Sequence, residues 1–110
     1  MTVQTTSDTP VLDLLASMTA DSIEATGLDA QLTILVRFAA LVAVDAPPAS
    51  YLLNLAAGKD VGLNVEDARN VLTAIAPIVG TAKTVAALSK IARALGLAVE
   101  LADEDEDDAD

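Results

Sequence analysis

Apolar residues along this chain recur at intervals of three and four positions, which is the spacing of one face of an α-helix. The periodic segments are separated by Gly, Pro, Asn and Asp, the residues that cap or end helices. No solenoid repeat runs through the segments. The pattern predicts an all-α protein, a single helical-bundle domain of about five helices over residues 10–99.

The first helix is predicted to begin near Pro10, because a proline in the first helical turn loses no hydrogen bond. Its apolar face consists of Val11, Leu14, Leu15 and Met18. Asp21, with Glu24 three residues later, has the pattern of a capping box. It predicts a separate short helical turn that ends at Gly27.

The second helix is predicted to start near Asp29 and to be apolar on almost every side. Arg37 is its only charge, which needs a carboxylate from another helix or subunit, or an exit to solvent. The helix should end at Pro47 and Pro48, and Asp45 is predicted to cap the next one. Because one short chain cannot cover such a helix, the pattern predicts a homo-oligomer with this helix at its centre. Its apolar residues are Leu32, Leu35, Val36, Ala39, Leu41, Val42 and Ala43.

The third and fourth helices are predicted from their end signals. The third should stop near Gly58, Gly62 should form a turn, and Asn64 should cap the fourth. Pro77 cannot donate to the carbonyl four residues earlier, so the fourth helix should kink or end there, just before Gly80. The third helix carries Tyr51, Leu52 and Leu55 on one face. The predicted buried side of the fourth helix consists of Val71, Leu72, Ile75, Ile78 and Val79.

The fifth helix is predicted to run from about Thr81 to Gly96, a natural residue to follow a helix end. Residues 100–110 hold 8 of the 17 acids in a chain of net charge −11. Such a run of like charges repels itself, so 100–110 is predicted to be a disordered, solubilising tail, and 1–9 a disordered N-terminus. The predicted apolar stripe of the fifth helix consists of Val85, Leu88, Ile91, Ala92 and Leu95.

Composition excludes several kinds of chemistry. The chain has neither cysteine nor histidine, so a disulfide, a thiolate metal site and a histidine base are ruled out, and we expect neither metal nor cofactor. The six basic residues are scattered, which argues against nucleic acid as a partner. The N-terminus lacks the features of a signal peptide, and the apolar stretch 32–44 is too short to span a membrane. A cytoplasmic protein that does not bind membranes is predicted.

Two stretches resemble a known family: LDAQLTILVRFAALVAVDAPPASY and NLAAGKDVGLNVEDARNVLTAIAPIVGTAKTVAAL. Together with a late Arg in the second helix and an Ala-Ala-Gly helix end, they resemble the carboxymuconolactone decarboxylase-like proteins, which include alkylhydroperoxidase D. The resemblance covers about residues 28–95. It implies a helical subunit that packs into trimers or hexamers, with sites at the subunit interfaces.

The reacting groups of that family are replaced in this chain. The positions of its Cys-x-x-Cys pair fall on Pro47 and Ser50, that of its histidine on Asn54, and that of its acidic relay on Ile34 or Leu35. Peroxide reduction needs a thiolate and a second thiol to resolve the product, so the resemblance does not extend to peroxidase activity. An amide also cannot exchange a proton near neutral pH as a histidine does.

The residues left at this place are the candidate site. Ser50 and Asn54 are one turn apart on the third helix and share a face, so together they could hydrogen-bond a bound ligand beside Tyr51. Arg37 is the candidate for binding an anionic substrate. In the structural alternative, Ser50 and Asn54 satisfy helix or interface groups, and Tyr51 is a core residue whose hydroxyl finds a partner.

The sequence supports three hypotheses for function. The first is a carboxymuconolactone decarboxylase-like oligomer without the thiol peroxidase site, acting as a non-redox binding or structural module. The second is a cofactor-independent decarboxylase or isomerase that acts on a small organic acid or lactone, with Tyr51, Asn54 and Arg37 as candidate catalytic residues. The third is an adaptor whose acidic tail binds a basic partner.

Overall fold

Five α-helices form the part of the chain that the computed structural model describes, residues 8–109, with side chains described for residues 8–96. No strand occurs in this part, which confirms the predicted all-α helical bundle. Residues 1–7 and 110, within the ends predicted to be disordered, lie outside the described residues. The helices are α1 (Pro10–Ala25), α2 (Ala30–Ala43), α3 (Pro48–Asp60), α4 (Val65–Val79) and α5 (Thr81–Ala109).

Helix α2 packs against α3, α4 and α5. Its Phe38 and Val42 are fully buried. The ring of Phe38 meets that of Tyr51 on α3 edge to face, with centroids 5.9 Å apart. The rest of the buried core is aliphatic: Ala46, Ala68, Leu72, Ala87, Ile91 and Ala94.

Local capping signals fix several helix ends as predicted. The Asp29 carboxylate accepts a hydrogen bond from the Leu32 amide at 2.8 Å. Asn64 and Asp67 form a reciprocal capping box at the start of α4. Gly62 turns the chain with a φ of 87°, a left-handed value that glycine adopts without strain.

Two predicted caps are wrong. Asp21 lies inside α1, which continues to Ala25 as one helix, so Asp21 starts no separate turn. Asp45 does not cap α3, whose cap position is Pro47. Instead, Asp45 has a left-handed φ of 56° and its carboxylate binds Lys90 of α5 at 2.6 Å. The ion pair ties the end of α2 to α5.

Helix α4 ends just before Gly80, as predicted, whereas α5 ends later than predicted. Pro77 leaves α4 intact because the carbonyl that loses its partner belongs to the exposed Thr73, where water can satisfy it, and the helix ends at Gly80 with φ 92°. Gly96 lacks a positive φ, so α5 passes through it to Ala109. Residues 100–109 have a helical backbone as the continuation of α5.

Some residues that were expected to be buried in α4 and α5 face solvent. Ile78 is 86% exposed, and the side actually buried in α4 is that of Leu72, with Val71, Ile75 and Val79 half-buried. In α5, the small residues Ala87 and Ala94 and the larger Ile91 form the buried stripe. Because the members of this stripe are four and three positions apart, residues one or two positions from them turn away from the core. Those exposed residues are Val85, Leu88 and Ala92.

Helix α1 differs from the other four because it packs against none of them closely. None of its residues is buried. Among the described residues, no helix is both long and apolar enough to cross a membrane.

Candidate functional site

Three of the four candidate ligand-binding residues lie around one groove. Arg37 of α2 and both Ser50 and Asn54 of α3 line a groove of about 470 Å³. Their approach follows from the packing of α2 on α3 and from the one-turn spacing of the two α3 residues. The remaining walls are Thr19, Ile23, Ile34, Ala40, Leu41, Leu53 and Ala57.

Arg37 is half-buried in this groove. Neither of the two ion pairs found among the described residues, Arg69 with Glu66 and Lys90 with Asp45, involves it. A guanidinium that is partly removed from water gains most from a carboxylate that accepts two of its N–H groups. The groove therefore offers an anchoring point for an acidic group.

Asn54 lies between this groove and a larger apolar cleft. The cleft has a volume of about 580 Å³ and is bordered by α2, α3, α4 and α5. Asn54 is almost fully buried, and its Nδ2 donates a long hydrogen bond of 3.4 Å to the Ile34 carbonyl. Asn54 is thus the polar group at the wall that both cavities share.

Most of the cleft is hydrocarbon. Its polar lining residues besides Asn54 are Lys59, Asn64 and Asp67, and the last two are occupied in the capping box of α4. Lys59 is exposed, so its ammonium is available at the cleft without loss of hydration. The apolar lining residues include Leu35, Phe38, Leu52, Leu55, Leu63, Ala68, Ala94 and Leu95.

Sequence reasoning did not predict this cleft. The signal that could have indicated it is the small-residue stretch Ala56, Ala57 and Gly58 at the end of α3. A Cβ placed on Gly58 would lie 3.4 Å from Ile34 Cγ2, so the glycine admits close approach of α2 and α3 below the cleft. The spacing of residues along one helix does not show which residue of another helix packs against Gly58.

Tyr51 lines neither cavity. It is completely buried against Phe38, which agrees with the interpretation as a core residue. Its hydroxyl, however, has no hydrogen-bond partner among the described residues. Burial raises the pKa of Tyr51 above its usual value of 10.0, and the negative charge of Asp45 raises it further. The phenol therefore stays protonated at neutral pH.

Within the part of the chain with described side chains, no group of three or more acidic residues is arranged to hold a metal ion. Comparison of the chain with protein-family models, with curated proteins and with solved structures found no match. The geometry of the two cavities is therefore the basis for assigning a function.

Proposed function

We propose that this chain is a non-redox binding module of the carboxymuconolactone decarboxylase-like type. We further propose that it binds a small apolar organic acid in the apolar cleft bordered by α2, α3, α4 and α5, which we call the Asn54 cleft. The observation that carries the proposal is the cleft itself. Its volume of about 580 Å³ falls in the range of roughly 300 to 1,000 Å³ that is typical of small-molecule sites. Its walls are apolar, with few polar groups to orient a ligand.

The polar groups indicate the chemistry of the ligand. Asn54 lies at the inner wall of the cleft, and its amide can donate a hydrogen bond to a ligand oxygen or accept one from a ligand hydroxyl. Lys59 provides a positive charge at the exposed side. A hydrocarbon body would displace water from the apolar walls, and a carboxylate would pair with the ammonium. A small aromatic or branched aliphatic acid has both features.

Binding is favoured over catalysis because the candidate residues are poor proton carriers. Arginine, serine and asparagine do not exchange protons near neutral pH, and burial holds Tyr51 protonated. The sequence resemblance over residues 28–95 supports the same kind of helical module, assembled as a trimer or hexamer. Decarboxylation or isomerisation of the bound acid would require a group that these residues do not provide.

Calorimetric titration with benzoate, and with benzyl alcohol as its uncharged analogue, tests the proposal. The variant Ala56→Trp places an indole at the exposed edge of the cleft, and Ala74→Trp places the same group on the surface of α4 as a control. We expect Ala56→Trp to abolish benzoate binding and Ala74→Trp to leave it intact.

The variant Lys59→Gln tests the contribution of the positive charge to binding separately from that of the apolar walls. It should weaken benzoate binding about threefold, as expected for the loss of one exposed ion pair of about 0.2 to 1 kcal/mol. Binding of benzyl alcohol should be unchanged. Benzoate that binds equally well to wild type and to Ala56→Trp would refute the assignment of the cleft.

A further inference from the structure

The groove lined by Arg37, Ser50 and Asn54 has no part in the proposed binding of an apolar acid. We call this groove of about 470 Å³ the Arg37 groove. It shares only Ile34 and Asn54 with the Asn54 cleft, and α1 forms one of its sides through Thr19. The side chains of Arg37, Ser50 and Thr19 line this groove and not the cleft.

These three polar side chains have no partner within the described part of the chain. The guanidinium of Arg37 forms neither an ion pair nor a hydrogen bond there, and the hydroxyls of Ser50 and Thr19 form no hydrogen bond there either. All three side chains are half-buried. Because polar groups that are partly removed from water lose hydrogen bonds, a ligand that restores those bonds is favoured at this place.

Thr19 differs in this respect from three other threonines inside helices. The hydroxyls of Thr33, Thr73 and Thr84 each donate to the carbonyl four residues earlier, at 2.7 to 2.9 Å. That local bond is a usual way for a threonine within a helix to satisfy its hydroxyl. Thr19 lies four residues after Leu15 in α1, yet it makes no such bond among the described residues. Its hydroxyl is therefore available to a ligand in the groove.

The charge of the groove favours an anion. Within the described residues, Arg37 is the only charged side chain that lines it, although the chain has a net charge of −11. The acid of α1 nearest to this edge, Asp21, is two positions from both Thr19 and Ile23, which is about 200° around the helix, so it points away. An anion in the groove thus meets a guanidinium and no opposing carboxylate. The planar guanidinium suits a carboxylate, which can accept two parallel hydrogen bonds from it.

We propose that the Arg37 groove is a second binding site, and that its ligand is a small hydroxy acid. The carboxylate pairs with the guanidinium of Arg37. The hydroxyl of the ligand exchanges hydrogen bonds with Ser50 and Thr19, each of which can donate and accept. A short hydrocarbon body contacts the apolar walls, among them Ile23 and Leu41. One positive charge matches a singly charged acid better than a phosphate, which carries about 1.5 to 2 negative charges at pH 7.

Such a ligand would give α1 a contact that this helix otherwise lacks. Helix α1 packs closely against none of the other four helices, and none of its residues is buried. Since Thr19 belongs to α1 and Arg37 to α2, a ligand held by both joins the two helices. Binding should therefore slow amide hydrogen exchange in α1, because a segment with few packing contacts opens easily without the ligand.

Calorimetric titration with 3-hydroxybutyrate tests the site, with butyrate and 1,3-butanediol as analogues without the hydroxyl or the carboxylate. Arg37→Gln should weaken 3-hydroxybutyrate binding about tenfold or more, and Arg93→Gln, at an exposed arginine of α5, should leave it unchanged. Thr19→Val should weaken it about threefold without affecting butyrate, as expected for one neutral hydrogen bond. Thr73→Val, which removes a hydroxyl bonded within its own helix, should change neither. Wild type that binds 3-hydroxybutyrate no more tightly than 1,3-butanediol would overturn the assignment.

The variant Ala56→Trp distinguishes the Arg37 groove from the Asn54 cleft. Ala56 lines the cleft and not the groove, so this variant should bind 3-hydroxybutyrate as wild type does, whether or not benzoate occupies the cleft. If Arg37→Gln fails to fold by circular dichroism, Ser50→Ala replaces it and should weaken 3-hydroxybutyrate binding about threefold. Hydrogen exchange followed by mass spectrometry should show slower exchange in α1 when 3-hydroxybutyrate is added to wild type. Loss of binding in Ala56→Trp, or unchanged exchange in α1 of the saturated wild type, would refute the proposal.

Discussion

The buried hydroxyl of Tyr51 leads to a prediction about stability. Tyr51→Phe removes one oxygen and keeps the edge-to-face contact with Phe38. In the native core this oxygen makes no hydrogen bond within the described residues, whereas in the unfolded chain water satisfies it. A buried polar group without a partner costs about 1 to 3 kcal/mol. We therefore expect Tyr51→Phe to raise the free energy of unfolding by about that amount.

Thermal and urea denaturation followed by circular dichroism measure this change. For a domain of this size, a gain of about 1 kcal/mol shifts the thermal midpoint upward by about 4 to 8 °C. Phe38→Leu serves as the control, because it removes the ring contact that Tyr51→Phe keeps and leaves the hydroxyl unaltered. This variant should lower the free energy of unfolding by about 1 kcal/mol or more. If Tyr51→Phe destabilises the protein, the hydroxyl has a partner and the reasoning is wrong.

The pKa of Tyr51 gives the same prediction a pH dependence. Because burial raises the folded pKa above the unfolded value of 10.0, the protonated phenol favours the folded state. Its contribution is complete below pH 10 and is lost as the pH rises through the folded pKa. Tyr51 is the one tyrosine of a chain without tryptophan, so tyrosinate absorbance reports its ionisation alone. Wild type should lose stability above pH 10 more steeply than Tyr51→Phe, and parallel pH profiles would contradict the burial effect.

Four further changes test the helix ends and the tail. Asn64→Ala removes the capping box of α4 and should lower the free energy of unfolding by about 1 kcal/mol in urea denaturation. Gly80→Ala should destabilise by about 1 to 2 kcal/mol because of the left-handed φ, whereas Gly96→Ala, inside α5 and with open space around it, should stabilise by up to about 1 kcal/mol. A destabilising Gly96→Ala would mean that the helix ends there. Deleting residues 100–110 should lower solubility and leave the thermal midpoint unchanged, as expected of a self-repelling acidic segment, while a lower midpoint would show that it packs on the bundle.

The sequence predicts those parts of the fold that depend on neighbours within one turn. Asp29 and Asn64 cap their helices through amides three residues later, so the pattern that encodes the contact is local. Asp45 shows the limit. An aspartate just before a helix is also a typical cap, but α3 begins only at Pro48, with Pro47 at the cap position. The Asp45 carboxylate instead pairs with Lys90, which lies 45 residues away in the sequence.

The candidate site was predictable to a similar extent. The one-turn spacing of Ser50 and Asn54 correctly places both on one groove, which Arg37 joins. The spacing could not show that the adjacent Tyr51 points into the core, because a residue one position away lies about 100° around the helix. The apolar cleft was not predicted, since four helices distant in sequence form it.

Nuclear magnetic resonance with benzoate tests the central claim, that the Asn54 cleft binds a small apolar acid, most directly. Titration into the labelled protein should shift the side-chain amide of Asn54 and the backbone amides of Gly58 and Leu63, which line the cleft. The amides of Ile78 and Gly80, outside it, should stay in place. Shifts confined to residues outside the cleft, or none at concentrations up to tens of millimolar, about where the weakest specific binding fades, would contradict the claim.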